Sequence, residues 1–117
     1  MEHQHNTIDY IEFPVRDLAE ARRFYERAFG WTFNEYGPDY AGIRRPGGGE
    51  MGGMHPDPSP QPGGLLVILY SSDLGASVAA VRAAGGTIVK EPFPFPGGRR
   101  FHFRDPNGHE LAVWSEK

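Results

Sequence analysis

Two histidines and two acids surround a predicted turn near the end of the chain, in the stretch FHFRDPNGHELAVW, residues 101–114. His102, His109 and Glu110 have the side-chain types that bind divalent metals or transfer protons near neutral pH. Residue type and spacing alone leave three roles open: ligands of a metal ion, polar groups of a metal-free pocket, or surface side chains. The elements that position these residues decide among the roles.

The turn inside this stretch is strongly encoded. Residues 105–108 read Asp-Pro-Asn-Gly, in which the proline fixes one φ angle and Asn-Gly tolerates positive φ. We therefore expect a hairpin between the last two strands. His109 follows the turn directly and shares the strand parity of Leu111, which predicts a rim position and a turn or surface role. His102 alternates with the phenylalanines around it and is expected on the other face of the sheet.

The helical segments form a weak internal repeat. VRDLAEARRFYERAFGWTF in the first half is similar, at a constant offset, to SSDLGASVAAVRAAGGTIV in the second, and such self-similarity indicates two half-domains in tandem. Asp17 and Asp73 suit helix N-caps, and Gly30, Gly85 and Gly86 suit the helix ends. The predicted apolar helix faces comprise Leu18, Ala21, Tyr25, Ala28 and Phe29 in the first copy and Leu74, Val78 and Val81 in the second.

Each half predicts a strand, a helix and then two or three further strands. The predicted strands, in chain order, are TIDYIEFPV, WTFNEY, YAGIRR, a weaker MGGMH, GLLVILYS, TIVKEPF, RRFHFR and ELAVWS. The fold class is therefore α+β, with the helices covering one side of the sheet. We expect one domain over residues 1–117, with module one at about 7–55, a proline-rich extended crossover at about 55–64 and module two at about 64–116.

Strand alternation separates the two faces of the predicted sheet. The purely apolar set of each strand is expected under the helices, because successive side chains point to opposite faces. The other face then collects an aromatic-rich surface with a few polar groups, which is the composition of a small-molecule pocket. Its members are Tyr10, Glu12, Leu66, Ile68, Tyr70, Arg100, His102, Glu110, Ala112 and Trp114.

Three aromatic residues of this face, Tyr10, Tyr70 and Trp114, have two possible roles. They either stack a planar ligand or close the pocket by packing together, since buried aromatic rings do both. Four further residues are candidates for the pocket wall, although alternation does not fix their facing: Trp31, Tyr40, Met51 and Met54.

The polar residues of the same face also leave alternatives. Glu12 either forms a buried ion pair with Arg100 or His102 or acts as a general base on a bound substrate. His102 either contacts a ligand and moves a proton or is a hydrogen-bonded structural histidine. A rebuilt metal site from Glu12, His102 and Glu110 is a weaker hypothesis, because three ligand types on three strands form no specific pattern.

Composition limits the partners. The chain has 117 residues, 38% hydrophobic and 23% charged, and a net charge of −3 with acids and bases interleaved. No basic face is evident, which argues against nucleic acid, and we expect no membrane segment and a cytoplasmic location. The chain has no cysteine, so disulfides and thiolate ligands are excluded. His3 and His5 are expected in a solvated tail, capable at most of loose metal chelation.

The glycine-rich stretch GGGEMGG, residues 47–53, invites comparison with phosphate-binding loops. It lacks the Gly-Lys-Ser/Thr that completes such a loop and is not followed by a helix start. We therefore predict either a flexible loop or a close-packed strand edge.

IEFPVRDLAEARRFYERAFGWTF, the glycine-rich middle, AAGGTIVKEPF and FRDPNGHELAVW resemble the vicinal oxygen chelate superfamily, which includes glyoxalase I, bleomycin-resistance proteins, fosfomycin-resistance enzymes and extradiol dioxygenases. The resemblance runs from about residue 7 to residue 115 and looks closest to compact bacterial glyoxalase-like members. It implies two βαβββ modules with mostly antiparallel strands that curl into a cup, with the helices outside, and it implies a homodimer.

Catalytic members of this family hold a divalent metal with His or Gln and Glu ligands. The resemblance places three of these positions on Tyr10, Leu66 and Ala112, and the fourth near Gly42, where the sequence has no acid. Leucine and alanine have no donor atom, and a neutral tyrosine is a poor ligand. The resemblance therefore implies a lost metal site, so no cofactor is predicted and a divalent metal is disfavoured.

The resulting functional hypothesis is binding or sequestration of a small organic ligand in a metal-free cup, similar to bleomycin-resistance proteins. The alternative is a lyase or isomerase, either metal-independent with Glu12 and His102 as acid and base, or metal-dependent with a nonstandard ligand set. Glyoxalase I activity itself is not expected.

Overall fold

The computed structural model of the chain describes residues 3–61 and 64–117. Residues 62 and 63 of the predicted crossover lie outside the described residues. In chain order the elements are β1 (Thr7–Val15), α1 (Leu18–Phe29), β2 (Phe33–Glu35), β3 (Ala41–Arg44), β4 (Glu50–Pro56), β5 (Leu66–Tyr70), α2 (Leu74–Ala83), β6 (Thr87–Phe95), β7 (Gly98–Arg104) and β8 (Glu110–Ser115). Neither of these two helices is long and apolar enough to cross a membrane.

The elements confirm an α+β fold with two tandem βαβββ modules. They belong to two compact units: unit one contains residues 10–65, and unit two contains residues 3–9 and 66–117. Strand order is β2-β3-β4-β1 in unit one and β5-β8-β7-β6 in unit two. Within each unit the first and last strands of the module, β1 with β4 and β5 with β8, pair in parallel, and the other neighbouring strands pair antiparallel.

Both helices begin where their caps predict, and α1 also ends there, whereas α2 ends at Ala83, just before the predicted glycines. The carboxylates of Asp17 and Asp73 each accept a hydrogen bond of 3.0 Å from the backbone N–H three residues on, which satisfies a donor that the first helical turn leaves unpaired. Helix α1 ends at Gly30, with φ of 73°. Helix α2 is followed by Gly85, with φ of 97°, a left-handed conformation that favours glycine.

Helix α2 covers the main core of unit two. Leu74 and Val78 on the helix pack with Phe101 on β7 and Val113 on β8, and all four are buried. Partly buried apolar side chains surround this cluster: Leu69, Val81, Ile88 and Phe103. Leu69, Phe101, Phe103 and Val113 of the predicted apolar sets therefore lie under the helix, as the alternation predicts.

Helix α1 is packed less completely. Phe13 on β1 contacts Tyr25 on the helix, with 5.9 Å between ring centroids, and Trp31 stacks on Tyr25 at 4.6 Å. Trp31 thus lies on the helix side with Phe13, not in the pocket wall for which it was a candidate. Phe29, predicted on the apolar helix face, is 66% exposed, because it ends the last turn, where its ring meets Tyr25 and Trp31 only at 6.3 Å.

The glycine-rich stretch forms a turn and a strand. Gly47, Gly48 and Gly49 have φ angles of 93°, 125° and 80° and connect β3 to β4. Gly52 then pairs with Ile11 of β1, and a Cβ atom at Gly52 would lie 2.4 Å from the Ile11 carbonyl oxygen. The weak MGGMH prediction is confirmed as β4, and the absence of a side chain lets the two strands approach.

The predicted hairpin joins β7 to β8. Oδ1 of Asp105 accepts hydrogen bonds of 2.9 Å from the backbone N–H groups of Asn107 and His109, and Gly108 has φ of 89°. The side chain of His109 is exposed beside this turn, as its parity and position predict.

Candidate functional site

The strand register of unit two aligns most of the predicted ligand-binding residues in two neighbouring rows. One row across β5, β8 and β7 holds Ile68, Ala112 and His102, and the next holds Tyr70, Trp114 and Arg100. Paired residues point to the same face of a sheet. These side chains therefore share the face opposite the core of unit two.

His102 is the most buried polar side chain of these rows, with 4% of its surface exposed. Its Nδ1 lies 3.0 Å from Oε2 of Glu110, and its ring stacks on Phe93 with 5.8 Å between centroids. Its Nε2 is buried and has no hydrogen-bond partner among the described residues. Glu110 thus orients the imidazole through Nδ1, whereas Nε2 makes no hydrogen bond to the described residues.

Burial lowers the pKa of His102 from its ordinary value, and the positive charges of Arg100 and Lys90 act in the same direction, while the hydrogen bond to Glu110 opposes them. The neutral imidazole is therefore favoured. Because the Glu110 carboxylate only accepts hydrogen bonds, it assigns the ring proton to Nδ1. Nε2 is then a hydrogen-bond acceptor without a donor among the described residues.

Arg100 lies against two phenylalanines of β6. Its guanidinium carbon is 5.6 Å from the ring centroid of Phe93 and 5.7 Å from that of Phe95, distances typical of cation–π contact. Phe95 in turn meets Trp114 edge to face at 6.0 Å. Sequence reasoning missed both phenylalanines, although their alternation with prolines in EPFPF was a usable signal.

His3 contradicts the prediction of a solvated tail. Its ring stacks on Tyr70 at 5.0 Å and meets Trp114 edge to face at 4.8 Å, and its Nδ1 lies 2.8 Å from Oδ1 of Asp9. The sequence gives no periodic signal for the ring contacts, because Tyr70 and Trp114 lie far along the chain on two different strands, β5 and β8. The rings of Tyr70 and Trp114 also pack together, with 5.1 Å between their centroids, and His3 packs against both.

Unit one presents a different polar group, centred on two phenols. The hydroxyl oxygens of Tyr10 and Tyr40 are 2.6 Å apart. Oη of Tyr10 also lies 3.4 Å from Oε1 of Glu50, and Oη of Tyr40 lies 3.4 Å from Oε2 of Glu12. The four side chains form one polar cluster in which one phenol donates its proton to the other. Tyr40, a candidate wall residue in the sequence, is a central member of it.

Glu50 was missed by sequence reasoning. Its carboxylate accepts hydrogen bonds from Nδ2 of Asn34 at 2.8 Å and from the hydroxyl of Tyr36. A Cβ atom on Gly42 would lie 2.3 Å from this carboxylate. The sequence has no acid at Gly42 itself, but the side chain of Glu50 reaches over that glycine from the neighbouring strand.

Both central phenols are held in the neutral form. Burial raises the pKa of Tyr10 well above its ordinary range, and the hydrogen bond to Tyr40 and the negative charges of Glu50 and Glu12 act in the same direction. Burial likewise raises the pKa of Tyr40, partly opposed by its hydrogen bond to Tyr10. Neutral phenols are hydrogen-bond donors and poor metal ligands.

The metal-ligand positions that the resemblance implies do not fit a metal ion. Leu66 and Ala112 carry no donor atom, and the Tyr10 hydroxyl is engaged by Tyr40 and Glu50. Within residues 3–61 and 64–117, no group of three or more His, Asp or Glu side chains has an arrangement suited to a metal. His102 and Glu110 are in contact. The metal site that would combine them with Glu12 stays a prediction. The ion pair of Glu12 with Arg100 or His102 also stays a prediction.

The paired βαβββ modules define an α+β protein built from two similar halves. The model of the Glyoxalase/Bleomycin resistance protein/Dioxygenase superfamily matches residues 7–113. The chain belongs to this superfamily, which confirms the resemblance seen in its motifs.

Individual relatives are distant. A Mycobacterium bovis protein named "Putative glyoxylase CFP32" is 24% identical over 97% of this chain, and the chain spans 47% of that relative's length. The Mn(II)-bound glyoxalase of Novosphingobium aromaticivorans superposes with a TM-score of 0.75 at 22% identity, covering 98% of this chain and 40% of the other. Methylmalonyl-CoA epimerase of Streptomyces coelicolor superposes with a TM-score of 0.68 at 17% identity, covering 96% and 98%. These likenesses establish the fold.

Proposed function

We propose that the chain binds a small organic molecule without a metal ion, and that His102 makes the central polar contact. The observation that carries the proposal is the buried Nε2 of His102, which lacks a partner among the described residues. A buried polar atom without a hydrogen bond costs about 1–3 kcal/mol. A ligand donor that reaches this atom removes that cost and thereby gains affinity.

The surroundings of His102 define the ligand chemistry. The neutral ring presents an acceptor at Nε2, and Phe93 supplies an aromatic surface beside it. Arg100 adds a positive charge in the same layer. A flat aromatic molecule with an O–H donor matches these groups, so a phenol is the simplest probe.

The test is a titration of chelator-treated protein with 4-methylphenol, in which ligand-observed NMR measures binding. We expect saturable binding that His102→Gln weakens at least tenfold, because the glutamine amide cannot reproduce the oriented imidazole acceptor. His109→Gln is the matched control, since this exposed histidine lies on the same hairpin. Equal binding by both variants would overturn the assignment to His102.

Sequestration is the physiological role we infer from this chemistry, as in the bleomycin-resistance members of the superfamily. Leu66 and Ala112 can contribute only apolar contacts to such a ligand, because neither side chain has a polar atom. Glyoxalase I activity is not part of the proposal.

Proton transfer is a second candidate function, favoured by the contact between His102 and Glu110. A carboxylate that holds one ring nitrogen at 3.0 Å fixes the tautomer and stabilises the imidazolium that forms when the other nitrogen takes a proton. His102 would then be the general base of a lyase or isomerase. Glu12 is a further candidate for this role, supported by its contact with Tyr40.

An enolisable aromatic ketone distinguishes this candidate from binding alone. With 4-hydroxyphenylacetone in D₂O, proton transfer predicts accelerated loss of the carbon-bound protons adjacent to the carbonyl. His102→Gln should then lower the rate by about 10²-fold or more, with ligand affinity retained. Exchange at the uncatalysed rate in the native protein would eliminate the enzyme candidate for this substrate class.

We also propose that the chain forms a homodimer through helix α1. Phe24 and Phe29 are 58% and 66% exposed there, and a surface concavity of about 420 Å³ adjoins them, lined by Glu20, Arg23, Phe24, Arg27 and Ala28. Apolar rings at this exposure are typical of interaction surfaces. Sedimentation should show a dimer at micromolar concentration that the double variant Phe24→Glu/Phe29→Glu dissociates; a native monomer would contradict this proposal.

A further inference from the structure

The segment before β1 is attached to unit two by specific hydrogen bonds. The backbone N–H of Ser72 donates to Nδ1 of His5 at 2.9 Å, and the backbone N–H of Asn6 donates to the carbonyl of Tyr70 at 2.8 Å. Asn6 has φ of 61°, so the chain turns sharply at this point. These contacts hold the segment so that His3 reaches the aromatic pair on β5 and β8.

The surroundings of the His3 ring have the parts of a binding site for a heterocycle. Tyr70 covers one ring face, and Trp114 meets the ring with its edge. One oxygen of Asp9 faces Nδ1 of His3 at 2.8 Å, and the other accepts from Nε1 of Trp114 at 3.0 Å. The hydrogen bond from Trp114 holds the Asp9 carboxylate in place independently of His3.

We propose that Asp9, Tyr70 and Trp114 form a binding site for a planar nitrogen heterocycle that bears an N–H, and that His3 occupies this site as an internal competitor. The aromatic surfaces recognise any flat ring, whereas the Asp9 carboxylate selects a ring with a donor at its edge. This site uses no atom of His102, so the inference stands or falls separately from the proposed function.

The segment before β1 tethers His3 to the site, and we expect this tether to keep an external ligand out of the native protein. A ring held by a short segment has an effective concentration in the millimolar range or above. A free heterocycle of the same chemistry must therefore compete with His3, and removal of the His3 ring is expected to increase its apparent affinity at least tenfold. The side chain of His3 is 34% exposed, whereas that of Asp9 is 11% exposed, which is consistent with a ring that can leave and a carboxylate that stays.

Fluorescence of Trp114 reports directly on the site. The chain has two tryptophans, and Trp31→Phe leaves Trp114 as the single emitter. In this background, His3→Ala should bind 4-methylimidazole saturably, and the parent should bind it at least tenfold more weakly. His3→Phe is the matched control, because its ring still covers Tyr70 and Trp114 and should keep the site closed.

The specificity of the site is tested by the carboxylate. Adding Asp9→Asn to His3→Ala should reduce 4-methylimidazole binding at least tenfold while leaving the folded state intact by circular dichroism. Equal 4-methylimidazole affinity in the parent and His3→Ala, or no binding by His3→Ala, would overturn the proposal. The 4-methylphenol titration with His102→Gln is unaffected by either outcome, so a failure here is distinguishable from a failure of the proposed function.

Discussion

The two units have the same βαβββ order but carry different chemistry on their open faces. Unit one holds a polar cluster of two phenols in mutual hydrogen-bond contact and two carboxylates beside them: Tyr10, Tyr40, Glu12 and Glu50. In unit two, the imidazole of His102 is held on one side and lacks a partner on the other among the described residues. The repeated topology therefore does not repeat the function, because a few side chains on a shared scaffold determine what each face can bind.

The helices of the two units also differ, in how completely each is packed against its sheet. Helix α2 buries Leu74 and Val78 against Phe101 and Val113, whereas helix α1 has no fully buried residue and exposes Phe29. Most helix stability in proteins comes from tertiary packing of an apolar face. Unit two is therefore expected to carry more of the stability of the chain, and unit one to depend more on its polar contacts.

The largest expected effect tests this difference in packing. Phe101→Ala should lower the free energy of unfolding by about 3–5 kcal/mol, because it removes a fully buried ring and leaves a cavity. Phe29→Ala removes a ring of the same size from an exposed position. It should change the free energy of unfolding by less than about 1 kcal/mol. Urea denaturation of the two variants gives both values, and similar losses would show that the core is not concentrated under α2.

A smaller effect is expected for the hydrogen-bonded phenols of unit one. A double-mutant cycle of Tyr10→Phe and Tyr40→Phe should give a coupling free energy of about 1 kcal/mol, because each single variant leaves the other hydroxyl without its partner at 2.6 Å. The measurement is again denaturation at neutral pH. Additive losses would mean that the two hydroxyls do not stabilise each other.

The two faces should also respond to opposite ends of the pH range. Burial raises the pKa of Tyr10 and Tyr40, so above pH 10 the unfolded chain releases protons that the native chain retains. The free energy of unfolding should therefore fall as pH rises through 10. The double variant Tyr10→Phe/Tyr40→Phe should flatten this alkaline decrease, and Tyr25→Phe, on the helix side, is the control; a native protein with a flat alkaline limb contradicts the assignment.

His102 should produce a weaker decrease on the acid side. Burial lowers its pKa below 6.5, so between that lowered value and 6.5 the unfolded chain binds more protons than the native chain. The free energy of unfolding should fall as pH drops through 6.5, with the full loss reached below the lowered pKa. His102→Gln should reduce this slope and His109→Gln should not, as measured by denaturation between pH 7.5 and pH 5; equal slopes in the two variants would contradict the shift.

The local elements were largely predictable from the sequence, for physical reasons. Alternation and caps predict β1 and α1 at their observed boundaries, because both signals are local. Strand β4 gave only a weak signal, since its glycines have no side-chain pattern and its reason for being a strand is the close parallel pairing with β1. Parity likewise predicted which residues share the face of His102.

The parts of the site that were missed depend on contacts that leave no periodic pattern. Glu50 reaches over Gly42 beside a register shift between Ile43 and Arg44, and such a bulge changes the direction of side chains in a way that strict alternation does not anticipate. His3 meets Trp114 across almost the whole length of the chain. Neither contact leaves a periodic pattern in the sequence.

The central claim is that His102 accepts a hydrogen bond from a ligand without a metal ion. Its most direct test is the ¹⁵N NMR spectrum of the His102 imidazole during titration of chelator-treated protein with 4-methylphenol. We expect the Nε2 resonance to shift and saturate while Nδ1, held by Glu110, stays nearly unchanged. An unchanged Nε2 resonance at saturating ligand, or a shift that appears only after a divalent metal is added, would contradict it.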